Sequence, residues 1–282
     1  MDQNCAICGD LSDTWEHVYP KWFLANWDET GPFTARANGQ PLRTRAGVIR
    51  TNSKMWRILL PLCRKCNNDL DRLFEKTAKG PVRRLLRDMQ PLNDRAAVTE
   101  IARWTVKTLA LASHPDARFE ALASQAQKRY QKPWTDYPRA ILESIGVGAV
   151  PNDTSLWFAL TDPSRPGLPD PPFEEVLLRH TSRADNLGGS GRTRTTGFAL
   201  TDDRIGWFQL AYHPLHDFVH PFERHALVTR LWPNPPERLD VRDHPVLDRK
   251  TRLTQVLVDD GFRHVLDLGQ RSNGPGPPWG EW

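Results

Sequence analysis

The chain has 282 residues, 39% of them hydrophobic and 26% charged, the balance of a soluble globular protein with room for two domains. No apolar run approaches the ~20 residues that a bilayer span needs, and the opening Met-Asp-Gln-Asn-Cys lacks the basic-then-apolar pattern of a secretory leader, so a cytoplasmic protein is expected. Residues 1–90 hold 15 Lys/Arg against 10 Asp/Glu and residues 91–282 hold 23 against 24, which confines the positive surplus to the N-terminal third, where a polyanion would find it.

The first feature in chain order is Cys5-Ala-Ile-Cys8-Gly9, followed by Trp15-Glu16-His17-Val18-Tyr19-Pro20-Lys21-Trp22. Residues 32–54 contain Arg36, Arg43, Arg45, Arg50 and Lys54 and no acidic residue, and Asn38-Gly39 suits a tight hairpin. A basic hairpin of this kind would contact phosphates without reading sequence. Residues 57–62 form a strand-like apolar run that feeds into Cys63-Arg-Lys-Cys66-Asn67. Residues 67–76 are predicted helical, with Leu70, Leu73 and Phe74 on one face. Arg83, Arg84 and Arg87 extend the basic surface beyond Gly80-Pro81.

Asp94 marks the next helix start, and Val98, Ile101, Ala102, Thr105, Leu109 and Ala112 make one apolar stripe. Further helices are predicted over 116–130 and 137–145. Strands follow over 156–160 and 175–180, then a hairpin of 197–200 with 205–212 across residues 201–204. Residues 182–196, with Gly188-Gly189-Ser190-Gly191-Arg192, read as a flexible basic loop. His213, His216 and His220 cluster between prolines and read as ordinary surface or core histidines. Residues 270–282 read as a disordered tail.

All four cysteines, Cys5, Cys8, Cys63 and Cys66, lie in the two Cys-x-x-Cys pairs. A two-residue spacer lets a knuckle aim both thiolates at one ion, so two knuckles close a tetrahedral structural zinc site. Disulfides do not suit the expected compartment, and neither pair has a redox-motif context.

An acidic residue, His, a β-branched residue and then Pro, set between cysteine knuckles and completed by Cys-x-x-Cys-Asn, resembles the motif of the HNH (ββα-metal) endonucleases with a four-cysteine zinc site. The resemblance covers residues 5–76, about a quarter of the chain. It implies a metal-dependent endonuclease hydrolysing nucleic-acid phosphodiesters, DNA rather than RNA, in bacterial defence or restriction. It implies His17 as general base, Glu16 and Asn67 as ligands of a catalytic Mg²⁺ or Mn²⁺, and Asn67 at the first helical position. The chemistry is coherent: imidazole titrates near working pH, and a hard cation offsets charge on phosphate and leaving oxygen. Neighbouring strand residues point to opposite faces, so Glu16 and His17 can converge only where the backbone is irregular. The motif's middle Asn has no counterpart in 57–62, Asn52 being the nearest.

The same residues also suit a non-catalytic zinc-dependent nucleic-acid-binding module, or a protein-interaction scaffold. The expected architecture is α+β. Residues 1–90 form a treble-clef-like ββα-metal module with zinc knuckles. Residues 91–269 form a helical middle and a mainly antiparallel β region, open to substrate recognition, ligand sensing or homo-oligomer formation, and 270–282 form the tail.

Overall fold

The computed structural model describes residues 3–25, 33–34, 36–37, 40–41, 43–52, 57–119, 139–161, 183–184, 191–201, 204–212, 223 and 226–247. The architecture is mixed α+β. The expected strand over 175–180, the clustered histidines 213, 216 and 220, Lys54 and the tail over 270–282 lie outside the described residues.

Strand β1 (Thr14–His17) leads into the short helix α1 (Lys21–Ala25). The described residues of the basic excursion that follows include two short antiparallel pairs. β2 (Phe33–Thr34) pairs with β5 (Thr51–Asn52), and β3 (Arg36–Ala37) pairs with β4 (Gln40–Pro41) across the expected Asn38-Gly39 connection. The chain then enters β6 (Ile58–Leu62), which pairs antiparallel with β1, Thr14 opposite Leu62 and His17 opposite Leu59.

Helix α2 (Arg64–Leu70) starts directly after β6, passes through a π turn (Asp71–Glu75) and continues as α3 (Lys76–Leu86). The helix begins three residues earlier than the sequence predicts, because Cys63 itself is the N-cap, its sulfur accepting from the Cys66 amide. Asn67 is therefore inside the first turn of the helix and is neither its first residue nor its cap. Gly80-Pro81 does not interrupt α3. The buried face Ala78, Val82, Leu85 and Leu86 runs past it, so packing outweighs the local cost of proline.

Helix α4 (Arg95–Ala112) is capped by Asp94, whose carboxylate accepts from the Ala97 amide at 2.7 Å. The predicted stripe of Val98, Ile101, Ala102, Thr105, Leu109 and Ala112 is buried, and so are Trp104 and Lys107. The predicted helix over 116–130 is corrected at its start. Arg118–Phe119 form strand β7, which pairs with the free edge of β6 and gives the order β1-β6-β7, while 120–130 lie outside the described residues. Helix α5 (Arg139–Gly146) answers the predicted helix over 137–145.

The C-terminal sheet contains β8 (Thr154–Thr161), β9 (Arg183–Ala184), β10 (Gly191–Thr201), β11 (Arg204–Tyr212), β12 (Thr229–Trp232) and β13 (Val246–Leu247). Its order is β12-β8-β11-β10-β9, antiparallel except for β13, which runs parallel to β8. The predicted hairpin of 197–200 with 205–212 is present and longer than expected. Residues 191–196, read as loop, extend β10, and 192–196 pair with 208–212, because long-range pairing satisfies backbone groups that local glycine content leaves undetermined.

Helix α4 packs against α3 and β6 as well as β10, β11 and β12. One continuous apolar cluster accordingly runs from Cys5 to Val241. No helix among the described residues is long and apolar enough to cross a membrane.

Candidate metal centre and the strand beside it

The first knuckle is a tight turn in which Gly9, at φ 81°, donates its amide to the Cys5 carbonyl at 2.9 Å. A positive φ is inexpensive for glycine and costly for other residues. The amide of Ala6 donates to the Pro61 carbonyl at 3.0 Å and docks this knuckle on β6. The second knuckle is the junction of β6 and α2. Together they bring the four sulfurs of Cys5, Cys8, Cys63 and Cys66 within 4.8 Å of one another, and none is in a disulfide.

The Cys8 and Cys63 sulfurs are 3.7 Å apart. Tetrahedral zinc with Zn–S bonds of about 2.3 Å requires sulfurs about 3.8 Å apart, so the cluster fits such an ion. Burial pushes the Cys66 thiol up and the Cys8 thiol up to about 11. Burial also works against ionising Cys5, but hydrogen bonds from the Cys8, Cys63 and Ile7 backbone outweigh it. A cation at the centre would stabilise all four as thiolates. The cluster is compatible with a structural zinc site.

Glu16, on β1, points into the core, 7% exposed. Its Oε1 lies 3.4 Å from the Lys107 ammonium, which also donates to Glu75 Oε1 at 2.6 Å. The Trp22 indole donates to the second Glu75 oxygen at 3.3 Å. Burial raises the Glu16 carboxyl to about 7, with Lys107 pulling the other way and Glu75 adding to the rise. Burial also works against the Lys107 charge, but the two carboxylates prevail and hold its pKa above the ordinary value.

His17 faces the other way. Its Nε2 lies 3.2 Å from Arg57 Nη1, a contact in which the guanidinium can only be the donor. The Asn67 amide donates to the Thr14 hydroxyl at 3.3 Å. β1 keeps a regular register with β6 through all four of its residues, so the irregular backbone needed for Glu16 and His17 to converge is not found within the strand. Glu16 meets Lys107, His17 meets Arg57 and Asn67 meets Thr14, three separate contacts. As they stand, Glu16 and Asn67 do not fit as a ligand pair for a second, catalytic cation. Among the described residues, the four cysteines form the one group of three or more His, Cys, Asp or Glu side chains placed to hold an ion.

Of the expected phosphate contacts, Arg43 and Arg45 are exposed and Arg50 is half-buried. Arg43 also donates to the Gly47 carbonyl at 2.7 Å, fastening its own turn. The Arg36 side chain lies outside the described residues. Farther along, Arg83 faces Asp88 at 3.8 Å and Arg84 donates to the Pro91 carbonyl at 3.0 Å.

Sequence reasoning did not single out Glu75, Lys107, Arg57 or Arg118. One signal was available: Lys107 is the lone charge in 104–112, an otherwise uncharged and largely apolar stretch of α4. A comparison of this chain with protein-family models, curated proteins and solved structures finds no match.

Proposed function

We propose that residues 5–76 form a zinc-stapled ββα module of the HNH type and that the protein is an endonuclease hydrolysing DNA phosphodiester bonds, with His17 as general base. The observation that carries this reading is the placement of His17. It ends β1 on the face away from the core, with its Nε2 3.2 Å from Arg57 Nη1. An imidazole is a natural general base near neutral pH, and the neighbouring Arg57 guanidinium is suited to hold a substrate phosphate beside it. The order of elements supports the same reading: an antiparallel strand pair running directly through a cysteine knuckle into a helix.

The HNH resemblance brings with it a divalent cation, Mg²⁺ or Mn²⁺. In this structure Glu16 is held by Lys107, and the Asn67 amide is turned to Thr14. The same two contacts favour a second reading, a zinc-dependent module that binds nucleic acid without cutting it.

Plasmid DNA incubated with Mg²⁺ or Mn²⁺ separates the two. The expected result is cleavage by the wild type and none by His17→Ala, with zinc content and DNA binding retained. Binding without cleavage of any DNA or RNA, whatever the divalent ion, would leave the non-catalytic module. Wild-type cutting by His17→Ala would remove His17 as the base.

A further inference from the structure

The three-stranded sheet β1-β6-β7 has two chemically different faces. Successive strand residues alternate sides, and Glu16, Ile58, Leu60 and Leu62 are buried in the core. Trp15, His17, Leu59 and Arg118 take the opposite side, as does Arg57 just before β6. His17 is opposite Leu59, and Leu59 is opposite Arg118, so these three form one row across the sheet. Arg57 reaches the His17 ring at 3.2 Å, and the Arg118 guanidinium lies 5.0 Å from the centre of the Trp15 ring. This face carries two guanidiniums, Arg57 against the imidazole and Arg118 over Trp15, and none of its described residues in β1, β6 or β7 is acidic.

We infer that this face binds the backbone of duplex DNA, with Arg57 and Arg118 as phosphate ligands on either side of His17. The inference rests on the nucleic-acid reading above and adds the residues that hold the substrate. A guanidinium offers planar, permanently charged donors matched to phosphate oxygens. Packing on Trp15 holds Arg118 in place before ligand arrives, which lowers the entropy lost on binding. The same packing covers one face of the indole, so the site is not arranged to stack an unpaired base there, as recognition of single strands commonly requires. Backbone contacts of this type position a duplex without reading its sequence.

The test is binding of the zinc-loaded full chain to a mixed-sequence duplex of about 20 base pairs, from about 50 to about 200 mM salt. Arg57→Gln and Arg118→Gln should each weaken binding roughly tenfold. Each should also flatten the plot of log affinity against log salt by about 0.9. Arg118→Lys should keep the wild-type slope. Zinc content and thermal unfolding report whether each variant folds. Hydrogen exchange of the wild type needs no variant, and duplex should protect residues 57–62 and 118–119. Wild-type affinity and slope in both glutamine variants, or no protection of those strands, overturns the inference while leaving the nucleic-acid reading intact. Tighter binding to single-stranded RNA than to the duplex overturns the choice of ligand. No binding to duplex at the lowest salt overturns the nucleic-acid reading, and this inference with it.

Discussion

The ammonium of Lys107 on α4 lies 2.6 Å from Oε1 of Glu75 in the π turn, with Lys107 fully buried and Glu75 9% exposed at the side chain. The second carboxylate, Glu16 on β1, completes a buried set of two acids and one base. Elements separated by 91 residues in sequence are thereby joined through one ammonium. The π turn widens the helix by one residue, and both Phe74 and Glu75 are buried there. Charge in so dry a place is costly unless every member has a partner.

Removing the central cation should therefore be severe. Lys107→Ala or Lys107→Met leaves two carboxylates facing each other without a counter-charge and is expected to cost about 3–5 kcal/mol. Urea unfolding measures it. The triple variant Lys107→Met, Glu16→Gln, Glu75→Gln should recover much of the loss, because the repulsion goes with the charges. A Lys107→Met protein as stable as the wild type would show that the triad contributes nothing.

Glu16 makes stability depend on pH with a defined sign. Its folded pKa is near 7 against an ordinary 4.5, so the unfolded chain releases the proton first. The associated stability is complete below about pH 4.5 and is lost as pH rises through about 7. Relative to Glu16→Gln, the wild type should lose on the order of 3 kcal/mol between about pH 4.5 and about pH 7.5. His114 and His244, held below their ordinary value by burial, act with the opposite sign and are common to both proteins. Parallel stability curves for the two proteins would contradict the assignment.

The cysteine cluster predicts one zinc per chain by elemental analysis. Chelation, or Cys66→Ser, should abolish it and lower the melting temperature by on the order of 10 °C, because binding free energy at a structural zinc site is folding free energy. An unchanged melting temperature after complete zinc loss would separate the cluster from stability.

Asp94 offers a local check on α4. Asp94→Ala removes the side chain that accepts from the Ala97 amide and should cost about 1 kcal/mol. Asp94→Asn should keep most of it. Equal losses in the two would mean that the carboxylate's charge, and not capping, is what the helix uses.

Several elements were legible because their information is local. The two knuckles announce themselves by spacing, and the α4 stripe by its helical period. The β3–β4 pairing and the β10–β11 hairpin follow from turn signals in the sequence. The start of α2 was misplaced because the cap is a cysteine, whose sulfur is no ordinary N-cap acceptor. The expected helix over 116–130 gave way at Arg118–Phe119 to a strand on the edge of β6, since an open strand edge supplies partners that local propensity does not record.

The candidate site divides along the same line. Residue types and spacing alone determined that four cysteines can share one ion and that an acid–His pair lies between them. Only the tertiary structure decided what each of that pair faces. The pleat sends Glu16 inward to Lys107 and His17 outward to Arg57. Those partners come from an α4 lysine and a pre-β6 arginine, and no pattern within β1 encodes them. A motif lists the groups available for chemistry; packing and backbone alternation determine which of them are buried with a counter-charge and which remain within reach of a ligand.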